Sequence, residues 1–374
     1  MIFGVTTAIL ALTGTLLSPV PARAVAMQAQ ALPVAALPVT ALPARDRTFQ
    51  DWIAVCDNGN RCEAIGASKE IDALAWSGLG LIRDAGPGGE PQIYVSRSDT
   101  PAGEPLTLTV DGQAFTASIP FPGRDDYRLI APGDRDAVLA ALANARQIVT
   151  TAQGTPQGQP QGRPQAVTRS RGLRAALAWI DDIQGRTGTV TALVDRGAAA
   201  ASSVPPAPDL PVLATPPPAD RSTPTVPSLY AGTRVPPAFS ETIAYRECIK
   251  TFDPSSSGLE RVDDHLAPGV ELWSVHCGDS TMHAIGVFYL TGPGGADPQV
   301  LTLPMTGQTM MVNYDTDYDP ATRTLHMVYR DPGQCGQEAW WVWTGQTFDL
   351  QKELAFSGCW YREPDDRPST WRTR

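Results

Sequence analysis

A chain of 374 residues that is 42% hydrophobic can bury at least one full core and is long enough for two domains of ordinary size. Only 18% of it is charged, and 35 prolines with 33 glycines favour short strands, turns and irregular connections over long helices. A formal net charge of −10 sets the chain against nucleic acid and against anionic membrane surfaces, because it gains nothing from counterion release at phosphates.

Residues 1–26 read as a secretory signal peptide. Ile2 to Leu17 is apolar, Ser18-Pro19 follows, and Ala22-Arg23-Ala24 supplies a small-x-small cleavage site, with the cut expected after Ala24 or Ala26. The run falls short of the roughly 20 apolar residues of a spanning helix. Later segments are shorter still, so no stable membrane span is expected after cleavage and the location predicted is periplasmic or secreted. Residues 27–48, rich in Ala, Pro and Leu without period, are a flexible leader.

A first β domain is expected over 49–197. Trp52, Ala54 and Cys56 share one strand face, and Cys62, Ala64 and Gly66 share a face of the next. A two-residue Asn58-Gly59 turn would oppose Cys56 to Arg61. Opposing the two cysteines requires the odd loop Asn58-Gly59-Asn60 with a bulge, and that loop is predicted because direct opposition suits a disulfide. Strands follow at Gly78–Arg83 and Gln92–Arg97 through a GPGG turn, then at Leu106–Val110 and Ala114–Ile119 around Asp111-Gly112. Val138, Leu142, Ala145 and Val149 predict a helix from Asp136 to Thr150, and residues 153–170 form a low-complexity insertion. A second helix is predicted after Ser170, its cap, with Leu173, Ala176, Leu177 and Ile180 as the apolar stripe and Gly185 as its left-handed stop. Thr189 to Val194 alternates as a strand.

Residues 198–238 hold 11 prolines and read as a semi-extended linker that can drape over a surface. A second β domain, 239–374, is expected from strands near Ala284–Thr291, Gln299–Met305, Thr309–Asn313, Thr324–Arg330, Ala339–Trp343 and Thr347–Leu350. The predicted fold is therefore mainly β with a few helices: two disulfide-stapled, sandwich-like antiparallel domains joined by a helix and a Pro-rich linker. Trp52-x3-Cys56 and Trp273-x3-Cys277 echo each other, as do two GPGG loops, which is what a duplication or convergent turn chemistry would produce. Six cysteines suit an exported protein, and local spacing suggests the pairs Cys56–Cys62, Cys248–Cys277 and Cys335–Cys359, one of 15 possible connectivities.

The chain carries little recognisable catalytic patterning. It has no G-x-S-x-G elbow, no P-loop, no C-x2-C pair and only four histidines, so neither a catalytic set, a cofactor nor a metal is expected. Asp315-x-Asp317-x-Asp319 resembles the start of a calcium loop, but Pro320 stands where the sharp turn needs Gly and His326 where a bidentate Glu is needed, so these are read as turn acids. Asp181 and Asp182 project about 100° apart on a helix and cannot face one substrate together. Trp340, Trp341, Trp343, Trp360 and Trp371 crowd the end of the chain, and Trp341 with Trp343 on one strand face offers a candidate binding surface for sugars or a partner.

DWIAVCDNGNRCEAIG at 51–66, GLRAALAWIDDIQGRTGTVTALVDRG at 172–197 and YDPATRTL…GQCG…WVWTGQTFDL…GCW in the tail resemble the bacterial domain of unknown function 1176 family over most of 49–374. The Trp-x3-Cys opening is also similar to the invasion-associated locus B family of exported β proteins. The resemblance implies no particular activity. Function is therefore expected to be non-catalytic: an exported envelope protein that binds an envelope protein or component. The alternatives are a peptidoglycan-binding module using the tryptophans, and a hydrolase built on His276, His283 and Asp315–Asp319.

Overall fold

The computed structural model describes residues 42–43, 45–66, 77–98, 100–152, 166–214, 228–231, 235–250, 258–279, 283–330, 335–358 and 367–374. The chain is mostly β, in several antiparallel, sandwich-like sheets.

The N-terminal sheet is built from β1 (Asp46–Phe49), β2 (Trp52–Cys56), β3 (Cys62–Gly66), β4 (Ser77–Arg83), β5 (Pro91–Arg97), β6 (Leu106–Val110), β7 (Gln113–Phe121), β8 (Arg124–Ile130), β9 (Ile148–Ala152) and β10 (Ala166–Thr168). Its spatial order is β1-β2-β3-β4-β5-β8-β7-β6-β9-β10, antiparallel throughout. The sheet curls until its ends meet: the Trp52 indole donates to the carbonyl of Arg169, just past β10, at 2.7 Å. Inside lie Trp52, Ala54, Leu79, Leu81, Leu106, Leu108 and their neighbours, joined by helices α1 (Arg135–Leu142) and α2 (Leu173–Ile183).

The β2–β3 loop has the odd length expected of it. Cys56 opposes Cys62 directly and bonds to it, Asp57 N–H donates to Arg61 O at 2.9 Å, and Asn60 takes φ +58° to close the bulge. Asp111 and Gly112, both at positive φ, make the tight turn between β6 and β7.

Three local expectations are corrected. The helix predicted from 136 to 150 stops at Leu142: Asp111 takes the N–H groups of Arg146 and Gln147, and the β-branched run Ile148-Val149-Thr150-Thr151 pairs as β9 beside β6. Ser170 does not cap α2. Gly172, at φ +93°, is the N-cap, and a Cβ there would lie 1.7 Å from the Phe49 carbonyl oxygen, so only glycine lets the helix abut β1. Thr189–Val194 forms turns instead of a strand, because the Asp181 carboxylate takes the N–H groups of Leu193 (2.8 Å) and Val194 (3.2 Å). The apolar stripe Leu173, Ala176, Leu177 and Ile180 is buried as predicted, and Gly185 ends α2 at φ +65°.

In the C-terminal half β11 (Ser228–Ala231), α3 (Pro237–Ser240), α4 (Ile243–Cys248), β12 (Gly258–Ala267), β13 (Val270–Asp279), β14 (Ala284–Gly292) and β15 (Ala296–Val300) come first. They are followed by β16 (Leu303–Met305), β17 (Gln308–Met310), β18 (Asn313–Tyr314), β19 (Thr316–Asp319), β20 (Thr324–Arg330), β21 (Gly336–Trp343), β22 (Phe348–Phe356) and β23 (Ser369–Arg372). The segment expected as one strand at Gln299–Met305 is thus divided between β15 and β16. One sheet runs β11 to β15 in order with β18 on β14; the second runs β19 to β23 in order. Leu266, Leu272, Phe288 and Leu290 of the first face Leu325, Met327, Trp341, Trp343 and Phe348 of the second, with Leu303 and Met305 of the β16–β17 hairpin between. The Cys248–Cys277 disulfide ties α4 to β13. Cys335 is also disulfide-bonded; the partner expected for it, Cys359, lies outside the described residues.

Both halves meet along a seam. β2 is buried on two faces: Trp52, Ala54 and Cys56 point into the N-terminal core, whereas Ile53, Val55 and, from β3, Ile65 pack on Phe356 of β22. The stapled loop then grips the far end of the chain. Asn58 Nδ2 donates to Arg372 O at 2.9 Å and Asn58 Oδ1 accepts Arg372 N–H at 3.0 Å, so one side-chain amide closes the open edge of β23. Beside it the fully buried Asp57 carboxylate accepts Gly59 N–H, Arg61 N–H and the Arg372 guanidinium.

Two outcomes follow. Leu177→Asp puts an unpaired charge into the core and is expected to cost about 3–5 kcal/mol in urea unfolding; near-wild-type stability would mean the stripe meets water. Arg372→Ala leaves Asp57 buried with only backbone donors, and because Arg372 itself is part-exposed the expected loss is smaller, about 1–3 kcal/mol. Unchanged denaturation midpoints in R372A would show that the clasp adds nothing.

Candidate functional site

The four histidines are spread over separate strands and turns, and the rings of His283 and His326 are spoken for. His283 bonds Asp315 through Nδ1 at 2.6 Å and the carbonyl of Arg330 through Nε2 at 2.7 Å, and its ring stacks on Tyr329. A carbonyl only accepts, so Nε2 carries hydrogen and has no lone pair to take a proton from a substrate. Asp315 also accepts Ala284 N–H at 2.7 Å; the pair therefore joins the start of β14 to the end of β20 and works as a corner brace. His326 bonds Glu338 at 2.9 Å and stacks on Trp340. His276 sits on β13 opposite Gly286, and His265 donates its backbone N–H to Asp263.

The three aspartates divide: Asp315 holds His283, Asp317 faces outward on β19 opposite His326, and Asp319 takes Ala321 N–H and Thr322 Oγ1 in the following turn. Turn chemistry accounts for Asp319 as expected. Among the described residues no group of three or more His, Cys, Asp or Glu is placed to hold a metal ion.

The two tryptophans offered as a binding surface are core residues. Trp341 is 0% and Trp343 1% exposed, and the Trp341 indole donates to Pro304 O at 2.7 Å. The β16–β17 hairpin and the facing sheet cover the side on which they lie, which overturns a surface role for either. Trp340 is the half-exposed one, carried to the outer face of β21. Its neighbours on both flanking strands lie against the ring: His326 at 4.6 Å between centroids and Lys352 Nζ at 4.3 Å from the centroid. A sugar would have to displace one of them to stack there.

Asp181, half of the aspartate pair, is buried, while Asp182 is exposed. Burial pushes the Asp181 carboxyl up, and the N–H groups of Leu193 and Val194 with the Arg83 guanidinium pull it partly back. Arg83 in turn is brought down to about 10 by burial. Arg186, fully buried, donates to Gln184 Oε1, Thr191 Oγ1 and the carbonyl oxygens of Gly86 and Gly89. This knot fastens the 185–197 loop to the β4–β5 turn.

One concave space with converging polar groups lies on the seam: a cavity of about 360 Å³. Asp46 of β1 forms one wall, and Thr306 and Gln308 of the β16–β17 hairpin another. The ends of the C-terminal sheet supply Tyr329, Gln337, Phe356, Ser357 and Thr370, with Cys335 at the edge. Ser357 Oγ donates to Asp46 Oδ2 at 3.1 Å across the seam, and Gln308 Nε2 to Gln337 Oε1 at 3.2 Å. No motif announces this cavity, because its wall comes from six strands distant in sequence. The signal available was indirect: WIAVC lacks the polar alternation of a one-sided strand, so something had to cover its second face.

A family model described as a protein of unknown function, DUF1176, matches residues 46–374. The chain belongs to the DUF1176 family. Among curated relatives, uncharacterized protein YpfG from Escherichia coli (strain K12) is 26% identical over 352 residues, covering 88% of this chain and 93% of its own. Among solved structures, invasion associated protein b from Bartonella henselae is similar at 14% identity over 38% of this chain and 99% of that one, with a TM-score of 0.29.

Below the cavity Glu353 is fully buried, its Oε2 accepting Thr306 N–H at 3.1 Å. Burial pushes its carboxyl up, bonds from Thr306 and Thr370 partly offset this, and the charge of Asp46 pushes it further. A carboxyl raised in the folded state favours folding only while protonated. Its contribution is therefore lost as pH rises from the ordinary glutamate value toward the raised one. Glu353→Gln is expected to raise the pH 7 midpoint by a few degrees, about 1 kcal/mol, with no gain below about pH 4. A destabilised E353Q at pH 7 would show that the carboxylate is needed charged.

Proposed function

We propose that the protein is exported and acts without catalysis, binding a component of the cell envelope in the seam cavity. The observation that carries this reading is the cavity itself: it gathers amide, hydroxyl, aromatic and carboxylate groups at the junction of two sheet systems, the usual place for a ligand site. The signal-like start and the disulfides support an oxidising compartment outside the cytoplasm. Among described residues no helix is long and apolar enough to cross a membrane. Against catalysis, the nitrogen of His283 that could face a substrate is spent on a carbonyl, and no cysteine among the described residues is free.

Fusion of residues 1–60 to a reporter active only after export should give activity and a shortened product; a cytoplasmic, uncut fusion would remove the envelope reading. For the site, the full chain is expected to be retained on purified peptidoglycan sacculi. Gln308→Trp, at an exposed position on the cavity wall, should cut retention at least tenfold without moving Tm. Retention unchanged in Q308W would place binding elsewhere on the molecule, and no retention of the wild type would exclude the sacculus as the ligand.

A further inference from the structure

Two hydroxyls of the seam cavity have already committed their protons. The hydroxyl proton of Ser357 goes to Asp46 Oδ2, that of Thr370 to the backbone oxygen of Glu353, and an amide proton of Gln308 to Gln337 Oε1. Lone pairs are what the two hydroxyls have left to offer a ligand, while Gln308 and Gln337 keep amide protons beside their carbonyl oxygens. Asp46 adds an exposed carboxylate, whose hydrogen-bond donor among the described residues is Ser357. Among the described residues no lysine or arginine lines the space. The basic neighbours of Asp46 in sequence are both turned elsewhere: Arg45 donates to Asp57 O and Asn60 Oδ1, and Arg47 lies over the Phe49 ring at 5.2 Å. Tyr329, its ring stacked on His283, and Phe356 complete the wall with apolar surface.

A pocket whose carboxylate meets no cation among its described lining residues, and whose Ser357 and Thr370 hydroxyls are left with lone pairs, is complementary to a cationic donor. We propose that the seam cavity takes an organic ammonium group, with Asp46 as its counter-ion; this rests on the reading of the cavity as a ligand site. A primary ammonium offers three donors to Asp46 and the hydroxyl lone pairs. The group can be carried by an alkyl chain, as on a peptide side chain, or by an amino sugar.

The test is titration of the ¹⁵N-labelled full chain, followed by amide shifts, with n-butylammonium, n-butanol, glucosamine and N-acetylglucosamine. At least one of the two amines is expected to give saturable shifts at Gln308, Gln337 and Ser357, while the neutral analogues give none. n-Butylammonium alone would point to an alkyl carrier, and glucosamine alone to an amino sugar. Asp46→Asn still accepts the Ser357 bond and should weaken amine binding tenfold or more with Tm unchanged. Raising NaCl from about 50 to about 500 mM should weaken wild-type binding severalfold. Equal binding of the neutral analogues, unchanged binding in D46N, or no saturable shift would each overturn the proposal. Loss of sacculus retention in Q308W without amine binding would keep the site and refute only the ligand class.

Discussion

The contact on which the arrangement of the molecule turns is Asp57 with Arg372, 315 residues apart in sequence. A fully buried carboxylate is costly unless every oxygen finds a donor, and here the loop geometry provides them. The three-residue turn, closed by Asn60 at positive φ, aims the N–H groups of Gly59 and Arg61 at Asp57 Oδ1 and leaves Oδ2 for the guanidinium. The Cys56–Cys62 bridge holds the ends of that turn in register. Local loop chemistry, long-range electrostatics and sheet-edge protection thus converge on seven residues.

The rest of the seam follows from that anchor. With β23 held by Asn58, the neighbouring end of β22 brings Phe356 onto Ile53, Val55 and Ile65, and Ser357 onto Asp46. On the other flank Leu42 exchanges backbone bonds with Met305 (2.9 Å) and Gly307 (2.6 Å), drawing the chain before β1 against the β16–β17 hairpin. The cavity is the space left between these fixed lines, and its polar lining reflects the backbone and side-chain ends that meet there. The block at 172–197 plays a parallel part within the N-terminal half. Its apolar stripe fills the core, and Asp181, Arg83 and Arg186 then organise a loop with no sheet partner of its own beyond the bridge of Thr189 to Ala199.

Local chemistry in the sequence foretold local structure well. Asn58-Gly59-Asn60, Asp111-Gly112 and the Leu173–Ile180 stripe each became the element their residues favour, because the decisive interactions lie within a few residues. Where the reading failed, a distant side chain had taken the backbone donors. Asp111 captured Arg146 and Gln147 and ended α1 early; Asp181 captured Leu193 and Val194 and dissolved a strand with good alternation. The tryptophans show a different limit. Period two correctly put Trp341 and Trp343 on one face, yet alternation alone does not say which face another sheet covers. The cavity was illegible for the same reason: Asp46, Gln308 and Ser357 acquire a common role only through the seam.

A ligand that touches both sides of that seam has a thermodynamic consequence beyond its own affinity. Asp46 and Ser357 meet in an exposed hydrogen bond, which by itself contributes little. A bound group bridging β1 to β22 would add its binding free energy to the docked arrangement and to no other, so occupancy and docking must strengthen each other. The charge distribution fits such coupling. The buried Asp57 carboxylate is already compensated by Arg372 and holds the seam shut without a ligand. Asp46, nearer solvent, is left with hydroxyl and amide neighbours, so its negative charge is the part of the seam that a mobile cation can still answer. The Asp57–Arg372 pair at one end thus holds the halves together by itself, and Asp46 at the other is where the proposed ligand would add to that hold.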